Sequence, residues 1–231
     1  MTFTTGYNTD ISIHKEKIVY KTYTRNGNPE DPLFIFAHGA GADSNSLFMN
    51  DMAKRIAALG VFVIRFDFPY MEKRREDGKK RPPDRAPKLI DDWNAVIADL
   101  NRPCVIGGKS MGGRIASMVA MSEYHSNLIK GCACLGYPFH PPGKPDKQRT
   151  EHLMAIHKPI LIVQGTRDTM GTDSDVVSYG LDSEIAFAWL EDGNHDLKPR
   201  KASGYTHEQH LQAAAEAIAE FVKERFTPLK S

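Results

Sequence analysis

Four short apolar runs, separated by segments of helical periodicity, limit the folds open to this chain more than any other feature. Each run has the length of a strand buried on both faces, as the strands of a covered parallel sheet are. The runs are LFIFA from residue 33, VFVIRF from 61, CVIGG from 104 and ILIVQG from 160. The segments LIKGCACLGY from 128 and EIAFAWLE from 184 predict two further strands. The chain therefore supplies the strands of a buried, parallel sheet.

Helical patterns alternate with these strands. Apolar residues recur at three- and four-residue spacing in four segments, Leu47 to Leu59, Lys88 to Leu100, Ser110 to Ser122 and Gln209 to Phe226. This alternation predicts right-handed crossovers and a three-layer α/β fold with a mostly parallel central sheet. A period-2 pattern from Lys17 to Arg25 predicts an edge strand. Since no repeat or Gly/Ser linker marks a boundary, we expect a single domain over residues 1–231.

Composition excludes several classes of function. A formal net charge of +1 provides no global field for binding nucleic acid or an anionic membrane. The three cysteines lie in apolar runs without a partner at ligand spacing, which argues against disulfides and zinc, so we expect core cysteines and no metal or cofactor. The chain has neither signal-peptide features nor an apolar run long enough for a membrane span. We expect a cytoplasmic protein, and the composition does not indicate its oligomeric state.

A serine motif lies where the run at 104 meets the following helical pattern. The sequence Gly108-Lys109-Ser110-Met111-Gly112 is G-x-S-x-G, in which the serine occupies a tight turn and the glycines let neighbouring backbone approach closely. The helix N-terminus, with the Met111 N–H, can stabilise a developing oxyanion. We predict Ser110 as a nucleophile. The alternative is a glycine-rich turn with an incidental serine.

A serine nucleophile needs a histidine base and a carboxylate that orients it. Asp168 directly follows the run ILIVQG, and His195 lies in the loop after the last predicted strand. Carboxyl ends of parallel strands share one edge of the sheet, so we predict that both side chains meet Ser110 there. Four other aspartates compete for the carboxylate role: Asp173, Asp175, Asp192 and Asp196.

The loop after the first apolar run is the predicted source of a second oxyanion donor. It reads H-G-A-G from His38, and its small residues let a backbone N–H turn toward the serine. We choose Ala40, with Gly39 as the alternative. We interpret His38 as a packed loop residue and not as the base, because it precedes the serine in the chain.

Two nucleotide-binding motifs match only in part. The segment from Gly39 resembles a dinucleotide fingerprint with Asp67 after the next strand, but Ser44 stands at its third glycine position. The Gly-Lys-Ser tripeptide resembles the end of a phosphate-binding loop, but that motif requires glycine where Pro103 stands. Neither nucleotide-dependent function is favoured.

Two long, proline-rich segments follow predicted strands, from Tyr70 to Pro87 and from Tyr137 to His157, and both are predicted loops. Residues 72–85 hold seven Lys or Arg against four Asp or Glu. Such a segment is typical of a solvated loop. The functional alternative is that it attracts a substrate carboxylate or phosphate through Arg74, Arg75, Lys79, Lys80 or Arg81.

Six segments together give a resemblance to a known family: FAHGAGADS, VIRFDFPYM, RPPDRAPKL, GGKSMGGR, VQGTRDTMG and DGNHDLKPR. The chain resembles small, capless α/β-hydrolases from about Leu33 to its end, and is similar to dienelactone hydrolases and to hydrolase-like domains of testis-expressed and NSL chromatin-complex subunits. The resemblance implies an α/β-hydrolase fold without a lid domain. It also implies a Ser110, Asp168 and His195 triad, with Ala40 and Met111 as oxyanion donors. Dienelactone hydrolases carry cysteine as nucleophile, so their specific chemistry is not implied.

These observations predict a serine hydrolase that cleaves a small-molecule carboxylic ester or thioester with a small or medium acyl group. The short connection between the strands at 128 and 160 leaves no room for a helical lid, so we expect an open active site. The alternative from another class is a catalytically silent hydrolase fold that serves as a binding or scaffold module.

Overall fold

A seven-stranded sheet forms the centre of the structure, a computed structural model that describes residues 22–227. The strand order is β1-β3-β2-β4-β5-β6-β7. The strands are β1 (Thr24–Asn26), β2 (Leu33–Ala37), β3 (Phe62–Phe66), β4 (Cys104–Lys109), β5 (Ile129–Leu135), β6 (Ile160–Gly165) and β7 (Ala186–Leu190). The α-helices are α1 (Leu47–Ala58), α2 (Pro69–Asp77), α3 (Ala86–Leu100), α4 (Met111–Ala120), α5 (Asp173–Val176) and α6 (His207–Glu224).

The sheet is parallel except at one edge, where β1 pairs antiparallel with β3. The predicted edge strand runs from Lys17 to Arg25, and its part up to residue 21 lies outside the described residues. In the described part, β1 begins at Thr24. The predicted three-layer α/β fold with a mostly parallel sheet is confirmed. Only residues 136–159 connect β5 to β6, and their regular structure is one 3-10 turn at Glu151–Leu153, so no lid domain is inserted there.

Helices cover both faces of the sheet because successive strand residues point to opposite sides. On β2, Ile35 packs with α3 and α4, whereas its neighbour Phe34 packs with α1 and α6. The three cysteines, Cys104, Cys132 and Cys134, are buried and free, as predicted. Burial raises the pKa of the Cys104 thiol to about 12. None of the helices between residues 22 and 227 has the length and apolarity that crossing a bilayer requires.

The four predicted helices agree with α1, α3, α4 and α6 to within about two residues at most ends, but the prediction of a loop from Tyr70 to Pro87 is wrong over its first part. Residues 69–77 form α2, which begins with Pro69 in the first turn and ends at Gly78 in the left-handed conformation. Only Tyr70 and Met71 of this helix are buried. A helix that buries so little has no apolar periodicity, which is why the pattern did not reveal it.

We predict that Trp93→Ala destabilises the protein strongly while Trp93→Phe does not. Trp93 of α3 is fully buried and meets the Phe66 ring edge-on, with ring centroids 4.9 Å apart. Its indole nitrogen has no hydrogen-bond partner, so phenylalanine sacrifices no bond. We expect the alanine variant to lose about 3–5 kcal/mol of unfolding free energy in urea titrations, and the phenylalanine variant far less. The matched control is Leu47→Ala, at a side chain that is 91% exposed, and a loss no larger than this control would contradict the prediction.

Candidate active site

Ser110 occupies the turn between β4 and α4, near the centre of the sheet edge. Its backbone has φ 52° and ψ −119°, a conformation that non-glycine residues rarely adopt and that costs about 1–3 kcal/mol. The Ser110 N–H donates to the carbonyl oxygen of Leu135, and the Ser110 carbonyl accepts from the N–H of Arg114. The turn is therefore held from both sides while the serine hydroxyl stands free of the backbone.

The flanking glycines permit this turn because the end of β2 lies directly against it. A Cβ atom at Gly108 would lie 2.6 Å from the carbonyl oxygen of Ala37. A Cβ atom at Gly112 would lie 2.5 Å from the carbonyl oxygen of His38. Both distances are shorter than real Cβ contacts, so the G-x-S-x-G spacing follows from the close approach of two backbones.

The structure brings Ser110, His195 and Asp168 into one hydrogen-bonded chain. The Nε2 atom of His195 lies 2.9 Å from the Ser110 Oγ, and its Nδ1 atom lies 2.8 Å from the Asp168 Oδ2. A carboxylate only accepts hydrogen bonds, so Nδ1 carries the proton and Nε2 is left to accept from the serine hydroxyl. The three residues follow β4, β7 and β6 at the carboxyl edge of the sheet. This arrangement can transfer the serine proton to the imidazole.

The Asp168 carboxylate is fully buried, and both of its oxygen atoms have further partners. Oδ1 accepts from the N–H of Met170 at 2.9 Å, and Oδ2 accepts from the side-chain amide of Gln164 at 2.9 Å. The Gln164 amide oxygen in turn accepts from the N–H of Tyr137 at 2.6 Å. These hydrogen bonds fix the rotamer of the Asp168 side chain and offset the free-energy cost of burying its carboxylate. Gln164 was not predicted as a site residue, although a polar residue in an otherwise apolar buried strand is a usable signal.

Lys109 is a second site residue that the sequence analysis missed. Its side chain is only 9% exposed, and its Nζ donates to the carbonyl oxygen of His195 at 2.8 Å. Nζ also lies 3.3 Å from a carboxylate oxygen of Asp196. Burial lowers the pKa of the Lys109 ammonium, and the charge of Asp196 opposes that shift. The lysine beside the serine thus anchors the loop that carries the histidine.

The four competing aspartates have other surroundings. Asp192 accepts hydrogen bonds from Arg200, which lower its pKa to about 2. Asp196 pairs with the buried lysine, as described above. Asp173 and Asp175 lie in the short α5, where Asp175 forms a capping box with the residue before the helix. Only Asp168 contacts the His195 imidazole among these five carboxylates.

The predicted oxyanion donors lie around the serine. Met111 is the first residue of α4, so its N–H has no partner within the helix. A Cβ atom at Gly39 would lie 3.7 Å from the Cβ of Ser110, and Ala40 lines the same cavities as the serine. The carbonyl oxygens of Gly39 and Ala40 both lie within 3.4 Å of the Tyr70 hydroxyl. The donor roles of Met111 and of Ala40, or its alternative Gly39, stay predictions.

His38 is fully buried and bonded within the loop. Its Nε2 accepts from the N–H of Phe68 at 3.1 Å, and its Nδ1 lies 2.7 Å from the carbonyl oxygen of Gly39. Both ring nitrogens are therefore engaged away from the serine, which agrees with its interpretation as a packed loop residue.

Two cavities meet at Ser110. The first, of about 260 Å³, is also lined by Phe48, Lys109 and His195. The second, of about 420 Å³, lies between α3, α4 and the loops that follow β5 and β6. A larger depression of about 620 Å³ lies between α5 and β7, and of the candidate site residues only Asp173, one of the competing aspartates, lines it. Ser110 lines both the cavity of about 260 Å³ and the cavity of about 420 Å³. A substrate whose scissile bond lies at the Ser110 hydroxyl would therefore place one of the two groups joined by that bond in each cavity.

Comparison with known proteins adds a family and a set of similar structures. A family model described as an alpha/beta hydrolase domain matches residues 30–223. Est1E from Butyrivibrio proteoclasticus, with bound ferulic acid, is 17% identical with a TM-score of 0.64, over 89% of this chain and 95% of that one. A monoacylglycerol lipase from Paleococcus ferrophilus is 14% identical with a TM-score of 0.65, over 90% and 100%. XC6422 from Xanthomonas campestris, described as a serine hydrolase without lid, is 15% identical with a TM-score of 0.61, over 90% of each chain. At these identities the likeness shows a shared fold.

We predict that Gln164→Met lowers the free energy of unfolding by about 2–4 kcal/mol, because the change leaves the buried N–H of Tyr137 and an oxygen of Asp168 short of a partner. Methionine is similar in size, so loss of packing is a minor contribution. Chemical denaturation measures the effect. The control Gln148→Met replaces an exposed glutamine and is expected to change stability by no more than about 0.5 kcal/mol. Equal stabilities of the two variants would show that the Gln164 network does not support the carboxylate.

Proposed function

This chain belongs to the alpha/beta hydrolase domain family, and on that premise we propose that it is a serine hydrolase acting through an acyl-enzyme on Ser110. The proposed substrate is a carboxylic ester or thioester with a small or medium acyl group. The observation that carries the proposal is the hydrogen-bonded chain from Ser110 through His195 to Asp168, with distances of 2.9 and 2.8 Å. In this arrangement a serine can act as nucleophile, a histidine as base and an aspartate as the carboxylate that orients the base.

In the first proposed step, the Ser110 Oγ forms a bond to the carbonyl carbon of the substrate. The hydroxyl proton moves to Nε2 of His195, and the electron pair of the carbonyl double bond moves to its oxygen. Asp168 holds the imidazole in the correct tautomer and stabilises its protonated form. The N–H groups of Met111 and Ala40 are the proposed donors to the oxyanion.

In the second step the tetrahedral species collapses. The bond to the alcohol or thiol breaks, and that group leaves with the proton from Nε2, which gives an acyl-Ser110. Water then attacks the acyl carbon and gives a proton to Nε2. The bond from carbon to Ser110 Oγ breaks, Oγ regains the proton, and the carboxylic acid departs. Because side chains supply each proton transfer, the proposed reaction requires no metal and no cofactor.

The shape of the site supports small or medium substrates. The connection between β5 and β6 carries no helical domain over the serine, and the two cavities measure about 260 and 420 Å³. Such volumes match the low end of small-molecule sites. We further propose that this chain is a small capless hydrolase related to dienelactone-hydrolase-like proteins and to the hydrolase-like domains of testis-expressed and NSL chromatin-complex subunits. The segments FPYM, GGKSMGGR and HDLKP support that placement.

We predict that a fluorophosphonate probe labels the wild-type protein covalently at Ser110 and that Ser110→Ala abolishes labelling, because only an activated serine reacts. Mass spectrometry of the labelled peptide identifies the site. Ser122→Ala is the matched control, since Ser122 follows α4 and its hydroxyl donates to the carbonyl of Val119. Folded wild-type protein that is not labelled would favour the scaffold alternative and contradict the proposed function.

We predict that Lys109→Met lowers kcat about tenfold or more for p-nitrophenyl butyrate, because the loop that carries His195 loses its anchor at the carbonyl oxygen. We expect KM and the melting temperature to change little, because the partner carboxylate of Asp196 is 70% exposed and water solvates it once the ammonium is gone. Lys198→Met, at an exposed lysine of the same loop, is the control and is expected to keep kcat. A melting temperature that falls together with kcat would instead assign Lys109 a purely structural role.

A further inference from the structure

We propose that the acyl part of the substrate carries an anionic group, a carboxylate or a phosphate, which Arg114 and Arg149 bind in the larger cavity beside Ser110. This inference rests on the proposed hydrolase function and names its substrate class. Arg114, Arg149 and Ser110 line the same cavity of about 420 Å³. The rest of its wall is mostly apolar, as in Leu89 and Ile115. An acyl chain would therefore lie on apolar surface and end at two cations.

Arg114 lies one turn along α4 from the nucleophile. Four residues of helix rise separate the backbones of Ser110 and Arg114 by about 6 Å along the axis, so a short acyl chain suits a site between them. The Nε of Arg114 is buried without a hydrogen-bond partner, and the guanidinium forms no ion pair with any residue in the described range. An unsatisfied buried donor is costly and rare in native structures, so it calls for an explanation. A bound oxyanion supplies the missing acceptor.

Arg149 reaches the cavity from the loop after β5. Its backbone is fixed on both sides, because its N–H donates to the carbonyl of Phe139 at 2.8 Å and its carbonyl accepts from the Tyr137 hydroxyl at 2.9 Å. Its guanidinium likewise has no ion-pair partner among residues 22–227. Burial and the nearby charge of Arg114 lower the pKa of Arg149. Two cations thus share a cavity and repel each other, and an anion between them relieves that repulsion.

The surrounding charges do not neutralise the pair. Among the described residues, Asp84 is the one carboxylate that lines the cavity, and it already accepts from the ammonium of Lys88 at 2.7 Å. His152 lies close to Arg114, whose charge, together with the larger effect of burial, lowers the histidine pKa to about 4. The imidazole is therefore neutral at pH 7, and the cavity keeps a net positive charge.

The basic segment that the sequence singled out is less suited to this role. Arg75 pairs with Asp67, and Arg81 pairs with Asp77. Arg74 donates to the carbonyl of Gly41 at 3.2 Å. These arginines already have acceptors, whereas the two in the cavity have none. The other cations of the segment, such as Arg85 and Lys79, are exposed to solvent, whereas Arg114 and Arg149 are partly buried beside Ser110. A substrate anion at the serine therefore meets the two cavity arginines first.

The position of His195 decides which part of the substrate carries the anion. The leaving alcohol or thiol must lie near Nε2 to receive its proton, and His195 lines the smaller cavity. The acyl group then occupies the larger cavity with the arginines. Half-esters of short dicarboxylic acids have this chemistry, since a scissile carbonyl and a carboxylate are separated by a few carbon atoms.

The test compares p-nitrophenyl hemiglutarate with p-nitrophenyl pentanoate, whose acyl chains have the same number of carbon atoms and differ in the terminal charge. We expect wild-type kcat/KM to be at least about tenfold higher for the hemiglutarate. That preference should shrink as salt rises, because salt screens charges. Arg114→Gln and Arg149→Gln are each expected to reduce the ratio of the two kcat/KM values by about 10- to 100-fold, the size of a charge-assisted hydrogen bond. The control Arg81→Gln is expected to keep the ratio.

Two inhibitors distinguish a carboxylate from a phosphate as the natural anion. Glutarate and inorganic phosphate are tested as competitive inhibitors of pentanoate hydrolysis, and the one that binds more tightly identifies the group. Inhibition should weaken in the arginine variants. Inhibition by neither compound, or a wild-type ratio near one, would overturn the inference.

Failure of this inference differs visibly from failure of the proposed function. A protein that hydrolyses the pentanoate as well as the hemiglutarate is a serine hydrolase without the anion site. A folded protein that hydrolyses neither ester and resists the fluorophosphonate probe overturns both proposals. The ratio of kcat/KM values of the wild-type protein can be measured whether or not any variant folds. If the charge matters, Arg114→Lys, which keeps it, should retain more of that ratio than Arg114→Gln.

Discussion

The close backbone contact between the serine turn and the end of β2 is the constraint on which the rest of the site depends. β4 lies between β2 and β5 in the sheet, so the turn after it is surrounded by the ends of neighbouring strands. Gly108 and Gly112 allow the backbones to touch, and Ser110 takes up the resulting strain at φ 52°. A side chain at either glycine would push the turn outward and move the hydroxyl away from the imidazole. The order of the strands in the sheet and the position of the serine hydroxyl therefore depend on the same backbone contact.

The site also depends on a buried polar network that the apolar sheet must accommodate. Asp168 has no exposed surface, and Gln164 and the N–H of Met170 supply the hydrogen bonds that water would otherwise make. Lys109 is similarly buried and bonds to the loop of His195. Each of these groups is tolerated because a partner at fixed geometry faces it. The same bonds that offset the cost of burial hold the carboxylate and the imidazole in place, so stability and preorganisation have a common origin.

The sequence predicted those features that follow from local pattern and from the rules of parallel sheets. The strands, four helices and the meeting of Ser110, Asp168 and His195 at one edge belong to this group, since strand ends define where loops gather. It did not predict α2, which buries too few residues to show a period. It also did not predict the hydrogen bonds of Gln164, because tertiary packing decides which buried polar groups face each other. The basic segment at 72–85 was conspicuous in sequence, yet two of its arginines are paired with nearby aspartates, at 67 and 77. Clustering of charge in sequence says little about which charges lack a partner in space.

The helix α4 links chemistry and specificity in the proposed enzyme. In the proposed mechanism its first N–H, from Met111, donates to the reacting carbonyl oxygen, and Arg114, one turn later and lining the same cavity, binds the far end of the acyl chain. Both groups lie on one rigid element, so an anion bound at Arg114 fixes the distance of the carbonyl from Ser110. Binding energy from the remote charge is then used to orient the reacting bond, which accelerates the chemical step and not merely association. A neutral acyl chain of equal length fills the same cavity but lacks this second point of attachment, and it reaches the serine in a wider range of orientations.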